Sequence, residues 1–492
     1  MRYGHFLWQR YRNSPTLTTY SSLAARSLNL TVVLPLALQR LPGSEAAVWL
    51  LISTVISFKT IFDSGFNPSF SRLFAFAMGG LDDLSKAKFD NGQTTGCQEA
   101  NWNLVKRIFP TMNFTYSCLA GLAMLALITA GSWALQRPIS ELSEPREGWM
   151  AWGCVCIAFP IIFWGSHYNA FLEGTNHIAV LRRWDSLLQL FGCFVLIACL
   201  LFAPSLLWLT LGSYIVQLVS VWINRQLFIR VRKKFALSIP IWRVDKEVLL
   251  AVWPTSWRTG LGVALTSGLL NATGFIYAQS SQAASLVTYL FSLRSISGIG
   301  QFCQAPFYSK IPILARLRSQ GAIVRLKEVA QRGMALTYAT YALSVCTAGW
   351  VFAALSHHNT IFCLTDSHAI ILWFMLAIAV FVERYGALHI QLFSTTNRIV
   401  VHIANGISGL LILLFLIILL PVVGVLAFPL SFILGYSAFY CWYSAMLSYR
   451  SLAETFWNFE RQTFFLFWLL FLLGNLLIGL IRCKYSRFAH FF

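Results

Sequence analysis

KTIFDSGFNPSFSR, residues Lys59–Arg72, closes the second long apolar stretch of the chain and sets two opposite charges inside it. Lys59 and Asp63 are four residues apart, so on a helix they share one face and can pair. Gly65 lacks a side chain and Pro68 lacks a backbone donor, so the helix is predicted to bend or loosen there. A Lys or Asp within a membrane helix costs about 2.5–3.5 kcal/mol on insertion scales, and such residues face protein or a water-lined interior. Two readings follow. Asp63 compensates Lys59 near the headgroups, or the helix is a polar, bendable wall of a substrate path.

Outward from this stretch the chain is overwhelmingly apolar. Of 492 residues, 57 % are hydrophobic and only 11 % charged, and 18 Trp and 40 Phe fit a lipid-facing surface with aromatic belts. Segments of spanning length fall at about 21–41, 46–76, 108–135, 149–172, 186–203 and 206–229. They resume at about 248–278, 284–310, 334–356, 368–393, 401–420 and 424–448, with a last one near 463–481. This predicts an all-α polytopic membrane protein: two six-helix lobes, residues 1–235 and 236–448, and an extra C-terminal helix and basic tail over 449–492. The basic stretch 230–247 is the natural hinge between the lobes. No loop is long enough for an extramembrane catalytic domain, which argues against an enzyme, and the N-terminus is too polar for a cleaved signal peptide.

The net charge of +19 does not read as nucleic-acid binding, because no soluble domain is available to display a basic groove. Positive-inside loops in contact with anionic lipid explain it. Arg2, Arg10 and Arg12 precede the first segment, and Lys86, Lys88, Lys106 and Arg107 follow the second. Arg182 and Arg183 follow the fourth, Arg230, Arg232, Lys233 and Lys234 the sixth, and Arg316, Arg318, Arg325, Lys327 and Arg332 the eighth. The alternate loops carry Arg40, and Arg137 and Arg146 diluted by Glu141, Glu144 and Glu147. The N-terminus is therefore expected in the cytoplasm. The tail with Arg482, Lys484 and Arg487 is the misfit: it ends outside if 463–481 spans, or the last helix lies in the interface.

The halves look weakly alike. Shifting GFNPSFSRLFAF by 238 residues onto QAPFYSKIPILA puts Pro68 on Pro306, Phe70 on Tyr308 and Arg72 on Lys310. Repeated halves around a midplane site are a common transporter plan.

Cations inside apolar segments carry the chemistry. Arg26, Arg258 and Arg294 each lie several residues from a segment end, and Arg294 sits roughly 15 Å into the eighth, where snorkelling is hardest. Arg suits phosphate because its planar fork donates two hydrogen bonds and stays charged. In FVERYGALHIQLFSTTNR, Glu383 adjoins Arg384, with His389 further on; adjacent residues do not face each other on a helix, so the two charges are expected to point apart. Glu383 is a proton site or pairs with a cation of another helix. His167, Asn169 and Glu173 form a further polar cluster that a satisfied helix terminus would also explain.

Other patterns fail on context. The glycosylation-type triplets at Asn29, Asn113 and Asn271 lie in or beside membrane segments. His357, His358, Cys363, Asp366 and His368 crowd one outer loop without metal-ligand spacing. Gly260 opens a glycine-rich run that lacks the third position of a dinucleotide fingerprint, and there is no P-loop, so no metal, nucleotide or other cofactor is expected. The 11 Cys read as small buried hydrophobes without disulfide spacing.

The early Arg26, the D-x-G stretch Asp63-Ser64-Gly65 ahead of a basic loop, the six-plus-six layout, and Pro306 followed by Lys310 together resemble the polysaccharide flippases. These are the O-antigen (Wzx-type) branch of the multidrug/oligosaccharidyl-lipid/polysaccharide exporter superfamily. The similarity spans about residues 15–448, and the extra segment at 463–481 departs from the twelve-helix pattern. The resemblance implies two lobes facing a cationic cavity that passes an undecaprenyl-pyrophosphate-linked oligosaccharide to the outer leaflet of a bacterial inner membrane. It implies alternating access driven by H+ or Na+, within O-antigen, capsule or exopolysaccharide biosynthesis. A polysaccharide polymerase and a chain-length regulator are the implied protein partners. Arg26, Arg258, Arg294 and Lys59 become the expected substrate-binding residues, and Asp63, Glu173 and Glu383 the expected ion-coupling acids. A multidrug antiporter of the same superfamily is the nearest alternative, although cationic drugs call for an acidic interior. A membrane-embedded polymerase or glycosyltransferase is the other, and would want a large outer loop with catalytic residues.

Overall fold

The computed structural model describes residues 25, 28–80, 100–235, 244–279, 283–356, 367–396 and 400–463, and every regular element among them is helical. The helices begin and end where the sequence supplies punctuation. Helix α1 (29–40) stops at Leu41-Pro42, and α2 (Gly43–Met78) follows at once. Asn101 caps α3 (Trp102–Ser140), its side chain accepting from the Leu104 N–H at 3.0 Å, and Pro145 occupies the first turn of α4 (Pro145–Gly174). Next come α5 (Ile178–Phe202) and α6 (Leu206–Lys234), the latter ending in Arg232, Lys233 and Lys234, cations that suit a helix C-terminus. Asp245 caps α7 (Lys246–Ala278), accepting from the N–H groups of Glu247 and Val248 at 3.0 and 3.4 Å.

The chain continues through α8 (Ala283–Cys303), a single turn at Ala305–Tyr308, α9 (Ile311–Ser319), α10 (Ile323–Ser356) and α11 (Ser367–Ser394). The most apolar stretch of all, Val401–Leu452, is far too long for one crossing. Pro421 and Gly424, the latter at φ 58°, break it into α12 (Val401–Val423) and α13 (427–452), which fold back on each other as a hairpin. A short α14 (Phe456–Glu460) follows. Each of the twelve spans expected from the sequence up to residue 448 thus has its helix. The ends run on into charged flanks that helical hydrogen bonding tolerates but hydropathy does not register, as where α10 begins eleven residues before the expected 334. The expected extra helix at 463–481 lies outside the described residues.

Among the described residues, seven stretches are long and apolar enough to cross a membrane, and large apolar side chains such as Leu122, Ile157, Phe194, Phe202 and Ile417 are exposed on them. The protein is a multi-pass membrane protein. Lipid is as apolar as these side chains, so the helices are held by close packing and interhelical hydrogen bonds rather than by hydrophobic transfer.

By Cα packing the chain divides into two units, Met1–Ala283 and Ala284–Phe492. In the first, α2 is the central strut, packed against α7, α4 and α3. Its aromatic core includes Phe74 edge-on to Phe171 at 5.3 Å and Phe109 stacked on Phe228 at 4.5 Å. In the second, α11 lies against α13, and the α12–α13 hairpin closes at Gly435, where a Cβ would lie 2.9 Å from the Ile412 nitrogen.

The Lys59–Arg72 stretch behaves differently from expectation. Pro68 does not interrupt α2, which runs helical through all 36 residues. Hydroxyls satisfy backbone and side chains around it: Ser69 donates to the Gly65 carbonyl at 3.0 Å and Ser71 to the Ala170 carbonyl at 3.1 Å. Gly65 serves close approach, since a Cβ there would meet the Ser256 carbonyl oxygen of α7 at 2.4 Å and the Gly260 nitrogen at 3.1 Å. Nor do the two aligned prolines share a structure. Pro306 opens a new helical turn after a break at Gln304, whereas Pro68 is mid-helix.

Candidate functional site

In the first unit the ionisable interior centres on Asp63. Helix periodicity turns Lys59, Asp63 and Asn67 of α2 to one face, where Lys59 is close enough for its charge to act on Asp63. From α3, the Tyr116 hydroxyl donates to Asp63 Oδ1 at 2.5 Å. Tyr116 is itself fully buried, packed near Phe70, Phe163 and His167. A hydrogen bond from a neutral donor to a carboxylate is stronger than one between neutral groups, so Tyr116 anchors this acid alongside the charge of Lys59.

One layer away, α4 presents His167, buried, with Nδ1 2.5 Å from the Trp164 carbonyl oxygen. Trp164 donates from its indole nitrogen to Asn113 Oδ1 at 2.9 Å, so the asparagine of the second glycosylation-type triplet is a buried acceptor. Asn224 of α6 donates to Asn169 Oδ1 at 2.8 Å. Glu173 near the end of α4 accepts from Arg182 of α5 at 3.0 Å, and Arg182 also faces Asp185 at 3.5 Å. Asn169 and Glu173 thus tie α4 to α6 and α5, while the His167 bond stays within α4. Glu173 nevertheless shares an interior with Asp63, each within reach of the other's charge. An aqueous path reaching Asp63 would give it a proton or a monovalent cation to bind, with Lys59 setting the charge balance.

Two arginines of α3 fasten α7 to this unit at opposite ends. Arg107 donates from Nε to Asp245 at 2.6 Å and from Nη2 to Glu247 at 2.5 Å. Its guanidinium holds the Asp245 carboxyl below the usual carboxylate range. At the other end Arg137 donates to the Gln279 carbonyl, and Gln279 returns a bond to the Ala134 carbonyl at 2.7 Å. Arg258, expected as a buried cation of α7, is exposed instead, its guanidinium 5.9 Å from the Trp257 ring centroid.

In the second unit Arg294 is half-buried midway along α8, between buried Leu293 and Ile296. On α11, Glu383 and Arg384 do not point apart. Arg384 Nε donates to Glu383 Oε2, and Nη1 donates to Gln304 Oε1 in the break after α8. The rule for adjacent residues concerns Cβ directions, and the long arginine arm bridges the angle between them. A second cluster, unread in the sequence, surrounds Glu460 of α14. This buried carboxylate accepts from Tyr449 at 2.6 Å, from Tyr385 at 3.3 Å and from Thr463, with His389 Nε2 at 3.0 Å. It pins α14 to α11 and α13.

The sequence-derived residues are therefore split by unit: Lys59, Asp63, Glu173 and Arg258 in the first, Arg294 and Glu383 in the second. Arg26 lies outside the described residues, as do His357, His358, Cys363 and Asp366. Tyr116 escaped notice because an aromatic in a membrane helix is usually packing. Glu460 lies in a mixed stretch between two apolar segments, where hydropathy gives no sign of burial; Tyr385 and His389, four apart, were the available hint.

No protein-family model matches the chain, and no curated protein matches it in sequence. Solved structures match over nearly its whole length. The lipid II flippase MurJ in an inward closed conformation aligns at TM-score 0.61 and 11 % identity, over 96 % of this chain and 99 % of that one. An inward-facing multidrug resistance MATE transporter of the MOP superfamily aligns at 0.60 and 11 %, over 88 % and 98 %. A MOP-superfamily transporter from Pyrococcus furiosus, described as having a reversed polarity of its binding pocket, aligns at 0.52 and 11 %, over 90 % and 97 %. The chain has the all-helical fold of MOP-superfamily membrane transporters. Within that fold it is similar both to multidrug resistance MATE transporters and to the lipid II flippase MurJ.

Proposed function

We propose that this chain is a flippase that moves an undecaprenyl-pyrophosphate-linked oligosaccharide from the cytoplasmic to the outer leaflet of a bacterial inner membrane. The observation that carries the proposal is Arg294, a cation half-buried midway along a membrane helix, on a fold shared with a lipid II flippase. The planar arginine fork stays charged and donates two hydrogen bonds, which suits a pyrophosphate in a partly dehydrated path. Arg26, Arg258 and Lys59 contribute further positive charge along the path, and Asp63, Glu173 and Glu383 are the acids available for coupling to H+ or Na+. The moving bodies are two six-helix lobes, 1–235 and 236–448, with α7 held against the first by Arg107 and Arg137 in the state described here. The N-terminus is cytoplasmic, the cycle makes and breaks no covalent bond, and the glycan is handed to a polymerase with its chain-length regulator.

A second reading, a multidrug antiporter, is favoured by Asp63, a half-buried acid on the same fold. Expression in a flippase-deficient strain and in a drug-efflux-deficient strain separates the two. Restored surface glycan with unchanged sensitivity to cationic dyes supports the flippase, and the converse supports the antiporter.

A further inference from the structure

Residues 449–463 of the second unit have their charges sorted by side. Ala453, at φ 54°, stops α13, and the Glu454 N–H returns to the Tyr449 carbonyl at 3.1 Å. The chain therefore turns sharply where the apolar Val401–Leu452 stretch ends. Neighbouring helices then grip it. Arg318 of α9 donates to the Ser451 carbonyl at 3.1 Å, and Lys327 of α10 pairs with Glu454 at 2.6 Å. Gln331 of α10 donates to the Phe459 carbonyl at 3.1 Å. The Glu460 carboxylate, only 4 % exposed, accepts from Tyr449, Tyr385 and Thr463, with His389 alongside. Both acids of the stretch are thus taken up by the protein itself.

The outward side carries the opposite charge. Arg450 and Arg461 are exposed, and neither pairs with an acid among the described residues. Between them Phe456 is 49 % exposed and Trp457 78 %, the two rings packed edge-on with centroids 5.3 Å apart. Trp457 and Arg461 are four residues apart, and the Arg461 N–H reaches the Trp457 carbonyl at 3.2 Å, so the two side chains share a face. Beside the end of a membrane span, exposed indole and phenyl rings lie at the depth where such rings favour the headgroup layer. Two arginines at that depth match anionic headgroups, which attract cations next to a span. A zwitterionic surface would take the indole but leave the net charge unmatched, and a soluble acidic partner would leave the rings outside the bilayer.

We infer that Arg450, Phe456, Trp457 and Arg461 form a docking surface for anionic phospholipid of the adjoining leaflet, held in place by the buried Glu460 cluster. In the proposed orientation that leaflet is the cytoplasmic one. The surface is independent of the cargo and holds for the flippase and the antiporter alike. Glu460 touches no lipid; it is a positioning residue that fixes which side of α14 faces out.

The test places the full-length protein in nanodiscs of phosphatidylglycerol and phosphatidylcholine, with bromine on the acyl chains of one lipid or the other. Bromine quenches an indole it touches, and the Trp457 signal is the difference between each protein and its Trp457→Phe version. Brominated phosphatidylglycerol should quench Trp457 beyond its share of the bilayer. Arg450→Gln and Arg461→Gln should each lower that enrichment by about fivefold, and added salt should weaken it. Glu460→Gln separates the anchor from simple electrostatics. Losing a negative charge would by itself draw more anionic lipid, whereas losing the anchor lowers the enrichment; the milder Tyr449→Phe should act in the same direction. Equal quenching by both lipids, or enrichment that survives the double arginine variant, overturns the anionic-lipid surface. An unquenched Trp457 overturns it as well and assigns this face to water or a protein partner. Enrichment raised in Glu460→Gln and unchanged in Tyr449→Phe overturns the positioning role of Glu460.

Discussion

Replacing Tyr116 by Phe removes one oxygen atom from a fully buried ring and leaves the packing of α3 against α2 unchanged in volume. The hydroxyl donates to Asp63 at 2.5 Å, so the substitution isolates one bond. Interhelical hydrogen bonds in membrane proteins average about 0.6 kcal/mol and reach about 1.7. Bonds to charged acceptors run at about 1.5–3 kcal/mol in proteins generally. A short bond to a carboxylate inside the membrane belongs where these ranges meet, at about 1.5 kcal/mol. The assay is reversible unfolding in mixed micelles for wild type, Tyr116→Phe, Asp63→Asn and the double variant. The cycle isolates the pair from changes each variant makes elsewhere, notably Asp63 facing Lys59. A coupling energy within about 0.3 kcal/mol of zero would show that the two groups do not anchor each other. In transport, both single variants should lower flux more than membrane level. Full flux in Asp63→Asn would leave Asp63 a purely structural counter-charge.

Other outcomes follow from single contacts. Gly65→Val should destabilise the first unit by about 1–3 kcal/mol, seen as lower folded yield, because its Cβ alone would sit 2.4 Å from the Ser256 carbonyl oxygen. Arg107→Gln should lower thermal stability of the purified protein at pH 6–8. The bond that depresses the Asp245 pKa contributes in full above the ordinary carboxylate value of about 3.9, and its contribution is lost as pH falls through the depressed one, so wild type and variant should converge only in acid below that depressed value. Tyr449→Phe should cost about 1–3 kcal/mol, because Glu460 loses a donor at 2.6 Å inside a buried cluster. A protease site placed after Glu460 should then be cut faster. Reporter fusions should show cytoplasmic activity at Lys234 and outer activity at Ser143, and the reverse at both would overturn the orientation.

The helices were legible because hydropathy speaks directly to a bilayer, and α1 to α13 fall where the apolar segments lie except α9, which sits in the basic stretch between two of them. The polar interior was legible only in part. Asp63 and Glu173 stood out as charges in apolar runs, and the structure places both inside the first unit. Their partners did not, since Tyr116 and Arg182 come from other helices and nothing local in sequence marks a contact 53 residues away. Reasoning from helix geometry misled at Glu383–Arg384, where side-chain length overrides Cβ direction. It misled again at Gly65, where the missing side chain serves a neighbouring helix rather than a bend.

Whether Arg294, with Arg26 and Arg258, carries a pyrophosphate-linked glycan across the bilayer is directly measurable. Proteoliposomes loaded with the lipid-linked glycan, with an enzyme outside that modifies the exposed sugar, report translocation directly as the fraction of glycan that becomes accessible. The wild-type protein should raise accessibility well beyond the half already on the outer leaflet. Arg294→Ala should abolish the rise, and Arg294→Lys should restore it only in part because the bidentate fork is lost. Undiminished translocation by Arg294→Ala combined with Arg26→Ala and Arg258→Ala would contradict the account.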